Sequence, residues 1–377
     1  MNKVIIGLFV SVILITAFTV NSNAQTIEII DGVRYVHNNE PKWGNDPKVN
    51  LEFVQKIGGL EETDENYIFK TGIVSDVDKD GNIYIYDYSG RRLQKYDANG
   101  KFLRTIGSEG QGPGEFQSLS SFQALDSGEI INLDSFGYRF QFLSPEGRYL
   151  KSFRLDEWYF YFRKLGNDKL LIDNRESTGL SPSDLSENRN IPLFKVLDFN
   201  GELLYEFGKL IYYNESRMIR VANSFHFDVG RADNSIYVAF ESLNKIEKYS
   251  EDGKLTFRAD RKLNYEVIEP EYKMVETEMF GKRPAVIRTY ISRNIGIDYK
   301  NRIWIWIFKK ETSEKREEII KDMNKYFVLE VFDDDGILLG HVELPVYFDN
   351  MKIFGDRMFL EDSSDQCCVY EYRIVEK

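Results

Sequence analysis

The chain has 377 residues, a formal net charge of −12 and two cysteines. That length allows one large domain or two ordinary ones, and the acidic balance argues against a nucleic-acid partner and gives no support for binding an anionic membrane surface. The two cysteines are adjacent, Cys367 and Cys368, so the fold is not a disulfide scaffold and must rest on a large core.

Residues 1–24 have the pattern of a signal peptide. Lys3 supplies the positive charge, Val4 to Val20 is apolar, and Ser22-Asn23-Ala24 is a small-x-small cleavage site that would leave Gln25 at the mature N-terminus. Read instead as a membrane anchor, the run is near the lower length limit; after cleavage no spanning segment is expected. Residues 25–50 form an N-terminal extension with one strand pair around Asp31-Gly32, expected to pack outside the main domain. Leu51 to Gly58 reads as a strand with no local partner.

From Gly72 to Phe116 the chain shows a complete unit. An Asp-rich turn leads to an alternating strand, Ile83 to Tyr86. A polar loop, Asp87 to Arg92, precedes a second strand, and an Asn99-Gly100 turn starts a third. The Gly turn recurs at Gly147, Gly201, Gly253 and Gly336, and the strand before it recurs as NIYIYD, EIINLD, KLLIDN, SIYVAF, RIWIWI and RMFLED. That makes six copies, the last of which lacks its fourth strand. The orphan strand at residues 51–58 supplies the missing piece. The expected fold is all-β: a six-bladed β-propeller of four-stranded blades over residues 51–377, its last blade closed by an N-terminal strand. Three insertions break the period: a polar loop at 181–190, Glu269 to Thr289 between the fourth and fifth blades, and Ser313 to Tyr326, which carries Ile319, Ile320 and Met323 at helical spacing. Cys367 and Cys368 read as strand residues facing opposite sides, with a vicinal disulfide as the alternative.

Residues Asp78, Gly81 to Ile85, Asp87, Arg92 to Tyr96, Asn99 to Leu103, Gly107 and Gly112 to Phe116 closely resemble an NHL-type repeat. The whole chain is similar to exported six-bladed propellers common in Bacteroidetes-type bacteria, which implies a monomer in the periplasm or outside the cell of a Gram-negative bacterium. Some six-bladed relatives hold an axial calcium ion and hydrolyse lactones or phosphoesters. That resemblance makes Asp76, Asn223 or Asp228, Asn294 and Asn350 metal candidates and calcium a possible cofactor. Others are zinc lyases, but this chain has only His37, His226 and His341.

Two further motifs invite chemistry. Asp76 to Asn82 matches the start of a calcium loop, yet a strand follows where a helix is needed, so a hairpin turn is expected. GQGPG at 110–114 looks like a phosphate loop but lacks the Lys and the helix. The loops between second and third strands should rise on one face. There Arg91, Arg92, Tyr138, Arg139, Arg175 and Lys245 are candidates to grip a carboxylate, sugar or peptide terminus. With no catalytic constellation visible, the expected function is a binding module for a protein, peptide or glycan. The alternative is a metal-dependent hydrolase or lyase.

Overall fold

The computed structural model describes residues 19–21, 24–174, 191–213, 216–277, 281–310 and 316–377. Six antiparallel blades of four strands follow one another around a β-propeller, five as separate sheets and the fourth extended by further strands on its outer edge. Their innermost strands are Ile73–Val77, Leu119–Ala124, Phe162–Leu165, Phe225–Val229, Ser292–Ile297 and Asn350–Phe354. The proposed signal peptide lies mostly outside the described residues, as does the 181–190 loop.

The second strand of each blade is sandwiched between neighbouring blades on both faces. It is therefore buried throughout and mostly apolar rather than alternating: Ile83–Asp87, Ile130–Asp134 and Ile236–Phe240 are buried at every position. The fourth strands Phe102–Ile106, Tyr149–Arg154 and Leu203–Phe207 face water along most of their length. The core is divided into apolar clusters at the blade junctions. Trp304 and Trp306 of blade 5 pack against Met351 and Leu360 of blade 6. Phe194 of blade 3 packs against Phe225 of blade 4. Each such side chain contributes about 1.5–3 kcal/mol on burial.

The ring closes where the sequence places the missing strand. Val49–Ile57 pairs antiparallel with Cys368–Glu376, from Val49 opposite Glu376 to Ile57 opposite Val369. Upstream of it, the hairpin Gln25–Ile30/Val33–Asn38 adds to the outer edge of blade 4, Val33–Asn38 running parallel to Leu255–Arg261. Asn38 donates to the carbonyls of Asp260 and Gly336 and accepts from Leu338 N–H. The chain then crosses blade 5, where Lys42 and Trp43 N–H donate to the Leu338 and Leu339 carbonyls. The N-terminal extension thus ties together the outer edges of blades 4, 5 and 6.

The Gly of each last turn has two duties. Gly201 has φ 92° and Gly253 φ 80°, left-handed values that a Cβ disfavours. Each also lies against the outer strand of the preceding blade. A Cβ on Gly201 would stand 2.6 Å from Phe153, and one on Gly253 2.6 Å from Phe207. The Asp-rich turns are built alike. Asp78 Oδ1 accepts from the N–H groups of Asp80 and Asn82, and its Oδ2 accepts from Asn82 Nδ2 and Tyr84 OH. These donors fill the carboxylate, which makes the calcium-like motif a hairpin turn. In the phosphate-like loop, Gly112 N–H donates to Glu115 of the same crossover.

The insertion between blades 4 and 5 is a two-stranded hairpin, Glu271–Thr277 with Gly281–Ile287. The one in blade 5 contains a short helix, Arg316–Lys321, and a 3-10 turn, Met323–Lys325. Cys367 and Cys368 are buried free thiols. Cys367 is not the strand residue expected: it sits in a turn with φ 50°, and the strand starts at Cys368.

Candidate functional site

Alternate residues of a strand share a face, so each innermost strand sends residues i and i+2 toward the axis. One end of the axis is ringed by Val74, Ser121, Tyr161, His226, Asn294 and Asn350. Two residues further along come Asp76, Gln123, Arg163, Asp228 and Lys352. These two rings make the two ends of the channel chemically different.

The second ring is a self-paired ionic plug. Arg163 Nε lies 2.8 Å from Asp228 Oδ1. Asp76 accepts from Ala124 N–H at 2.7 Å. Lys352 Nζ donates to the Ser75 carbonyl at 2.6 Å, beside Glu361, which accepts from Ser75 N–H and Oγ and from Asn350 Nδ2. Burial pushes the Asp76 carboxyl above its usual range, against the pull of Lys352 and Arg163. Burial likewise pulls the Lys352 ammonium down, partly offset by Glu361. The cavity beyond this plug measures about 140 Å³.

The other end opens into a cavity of about 900 Å³. It lies at the N-terminal ends of the innermost strands. Tyr161, Phe227, Tyr290, Phe308, Phe327 and Tyr347 give it aromatic walls, Arg293, Arg316, Asp349 and Glu241 give it charge, and His226 adds an imidazole. His226 Nε2 stands 3.1 Å from Glu241 Oε1, and Arg288 Nη2 approaches Glu241 Oε2 at 3.3 Å. Ser121 Oγ, fully buried in this wall, has no hydrogen-bond partner among the described residues.

The metal candidates divide between the two rings. Asp76 and Asp228 stand in the plug with Arg163 and Lys352: Asp228 is ion-paired with Arg163, and Asp76 accepts from Ala124 N–H within the field of both cations. Asn294 and Asn350 are hydrogen-bonded to each other in the wide mouth. Asn223 lies off the axis, donating to the Ile211 and Ile219 carbonyls. An axial divalent cation does not fit this donor set, because it would face two buried cations. Among the described residues no three His, Cys, Asp or Glu side chains converge as metal ligands. His37 and His341 sit on outer strands, beside Asp260 and Glu330.

None of Arg91, Arg92, Tyr138, Arg139 or Lys245 lines the wide mouth. Arg92 donates to the Glu65 and Ile68 carbonyls, and Arg139 to those of Gln111 and Glu115, so both clamp the incoming crossover of their own blade. Asp134 holds Arg139 at 3.1 Å. Arg91 pairs with Glu109. Arg91 and Tyr138 occupy left-handed turn positions, with φ 46° and 48°. Lys245 stands 3.2 Å from Glu247 and over the Phe240 ring. Tyr138 joins Phe136, Trp158 and Phe160 in an exposed aromatic cluster. Arg175 lies outside the described residues. Sequence reasoning missed Arg293, Arg316, Arg163 and Lys352; the signal for the last two was the two-residue period of the innermost strands.

Fold and channel define the class: the protein is a six-bladed β-propeller. The family model DUF5128, described as a 6-bladed beta-propeller, matches residues 51–188. No curated protein matches the chain. Among solved structures, a member of the DUF4221 family from Bacteroides vulgatus is 12% identical with a TM-score of 0.57, over 88% of this chain and 99% of that one. A Bacteroides fragilis protein described as exported is 14% identical with a TM-score of 0.57, over 91% of this chain and 100% of that one. A virginiamycin B lyase from Staphylococcus aureus is 11% identical over 87% of this chain and 100% of that one. Its TM-score of 0.45 is too low to bear on activity. At these identities the likeness is one of fold, and it supports a propeller family without carrying the NHL label.

Proposed function

We propose that the protein is a ligand-binding module of the cell envelope that takes the end of a peptide or glycan into its wide mouth. The observation that carries this reading is the asymmetry of the axis. One end is a 900 Å³ aromatic-walled cavity with charged groups on its rim, while the other is closed by paired buried ions. Pockets of this size and lining, with a few convergent polar groups, suit ligand capture. A metal-dependent hydrolase or lyase has less support, since the axial carboxylates are engaged by Arg163 and Lys352. The apolar N-terminal run with its cleavage site supports export, as does the likeness to a protein described as exported. No described helix is long and apolar enough to cross a membrane.

The test is binding to peptide and glycan arrays by the mature chain and by the double variant Val74→Trp/Ser121→Trp, which puts two bulky rings into the axial wall of the mouth. Ligands bound by the first and lost by the second support the reading. Ligands bound equally by both place recognition elsewhere and refute it.

A further inference from the structure

Within the wide mouth, one wall gathers two arginines around a single ion-paired carboxylate. Arg293 and Arg316 both stand 3.7 Å from the same atom, Asp349 Oδ1. The other oxygen of Asp349 already accepts from Ser363 N–H and Ser364 Oγ. Two guanidinium groups thus share one occupied carboxylate, and Asp362 is a further carboxylate that acts on Arg316. Arg316 donates to Ser364 Oγ. Arg293 makes no hydrogen bond among the described residues, although its guanidinium offers five donors.

The backbone aims Arg293 there. The ladder between the first two strands of blade 5 shifts register between Ser292 and Asn294, so Arg293 is the extra residue of a bulge. A bulge turns a side chain away from the direction that plain alternation would give it. The guanidinium lies over the Trp306 ring at 4.6 Å, and that of Arg316 over Tyr347 at 5.1 Å. These ring contacts hold each guanidinium against the wall, and that of Arg293 keeps its donors without a hydrogen-bond partner among the described residues. The side chains remain 38% and 40% exposed at the cavity wall.

We propose that Arg293 and Arg316 form a carboxylate subsite, and that the ligand of this mouth is a peptide ending in a free C-terminus with an apolar last side chain. The proposal rests on the binding reading above and names its ligand class. The chemistry favours a peptide because the walls beside the two arginines are Phe308, Ile319, Phe327 and Tyr347. Such walls cover an apolar side chain, whereas many sugar hydroxyls would be left without partners there. Charge-assisted, two-pronged bonds from arginine to carboxylate supply the orientation.

The experiment is fluorescence polarisation on the mature chain with three labelled probes. They are a pool of hexapeptides ending in Phe or Leu with a free carboxylate, the same pool as C-terminal amides, and an oligogalacturonide. The expected result is that the acids bind at least about tenfold tighter than the amides, a difference of about 1.4 kcal/mol. Arg293→Gln, checked for an unchanged melting temperature, removes that difference, and Arg293→Lys restores part of it. Equal binding of acids and amides would overturn the carboxylate subsite while leaving the mouth as a binding site. Binding of the oligogalacturonide alone would overturn the peptide class. Binding of no probe would count against both readings.

Discussion

Replacing Gly201 with Ala separates the two duties of the turn glycines. The backbone duty is the positive φ of 92°, which disfavours an L side chain by about 1–2 kcal/mol. The packing duty is contact with the neighbouring blade: the new Cβ would stand 2.6 Å from Phe153 Cδ2 and 3.0 Å from its Cε2. Phe153 cannot swing away freely, because its ring packs on Phe140 at 5.3 Å and lies 6.3 Å from Phe142. Overpacking of this kind costs about 1–3 kcal/mol. Gly355 is the control, with φ 65° and nothing within 4 Å of its Cβ position. Gly201→Ala should therefore lose about 2–5 kcal/mol and Gly355→Ala about 1–2 kcal/mol. Urea unfolding of the two variants, compared at equal m-value, reads the difference as a shift in midpoint. Equal losses would show that the turn glycines are needed for backbone geometry alone, and the blade-to-blade contact argument would fall.

Two other outcomes follow from the buried ions and thiols. Lys352→Met leaves Asp76 and Glu361 without their cation and should cost about 3–5 kcal/mol. Because burial holds the Asp76 carboxyl above its ordinary 3.8, the folded state keeps that proton more tightly than the unfolded state. This contribution to stability is present at low pH and is lost as pH rises from 3.8 through the raised value. Lys352 pulls that carboxyl down, so its removal raises Asp76 further, and the deficit of Lys352→Met relative to the parent chain, followed by chemical denaturation, should shrink as pH falls toward 3.8; a deficit that grows on acidification would contradict the sign. Burial pushes the Cys368 thiol up to about 11 and raises Cys367 as well. Ellman's reagent at about pH 8 should find almost no reactive thiol in the folded chain and two in urea. No thiol in urea would mean that the pair is oxidised.

The architecture was legible because a propeller repeats its demands. The turn glycines must be glycine for both φ and packing, so they mark the period even where the strands diverge. The orphan Leu51–Gly58 segment was legible as the closing strand because it carried an outer-strand pattern with no partner nearby. The arginines of the loops were misleading for a physical reason. Arg92 and Arg139 follow an Asp in a polar loop whether they face a ligand or clamp their own crossover. What decides is the carbonyls of Glu65 and Ile68, or of Gln111 and Glu115, which the fold brings beneath them. Arg293 was hidden because a bulge breaks the alternation on which a strand is read. Arg163 and Lys352 were hidden by the opposite expectation, that charges on a strand face water. They lie in the axis only because Asp76, Asp228 and Glu361 meet them there.

The central claim is that recognition occurs at the wide mouth, and hydrogen–deuterium exchange with a ligand selected on the arrays tests it most directly. The account predicts that ligand protects the starts of the innermost strands, around Val74, Ser121, Phe227, Arg293 and Asn350, and leaves the exposed aromatic cluster of Phe136, Tyr138 and Trp158 unchanged. Protection confined to that cluster, or to the Glu271–Ile287 hairpin, with the strand starts unaffected, would contradict it.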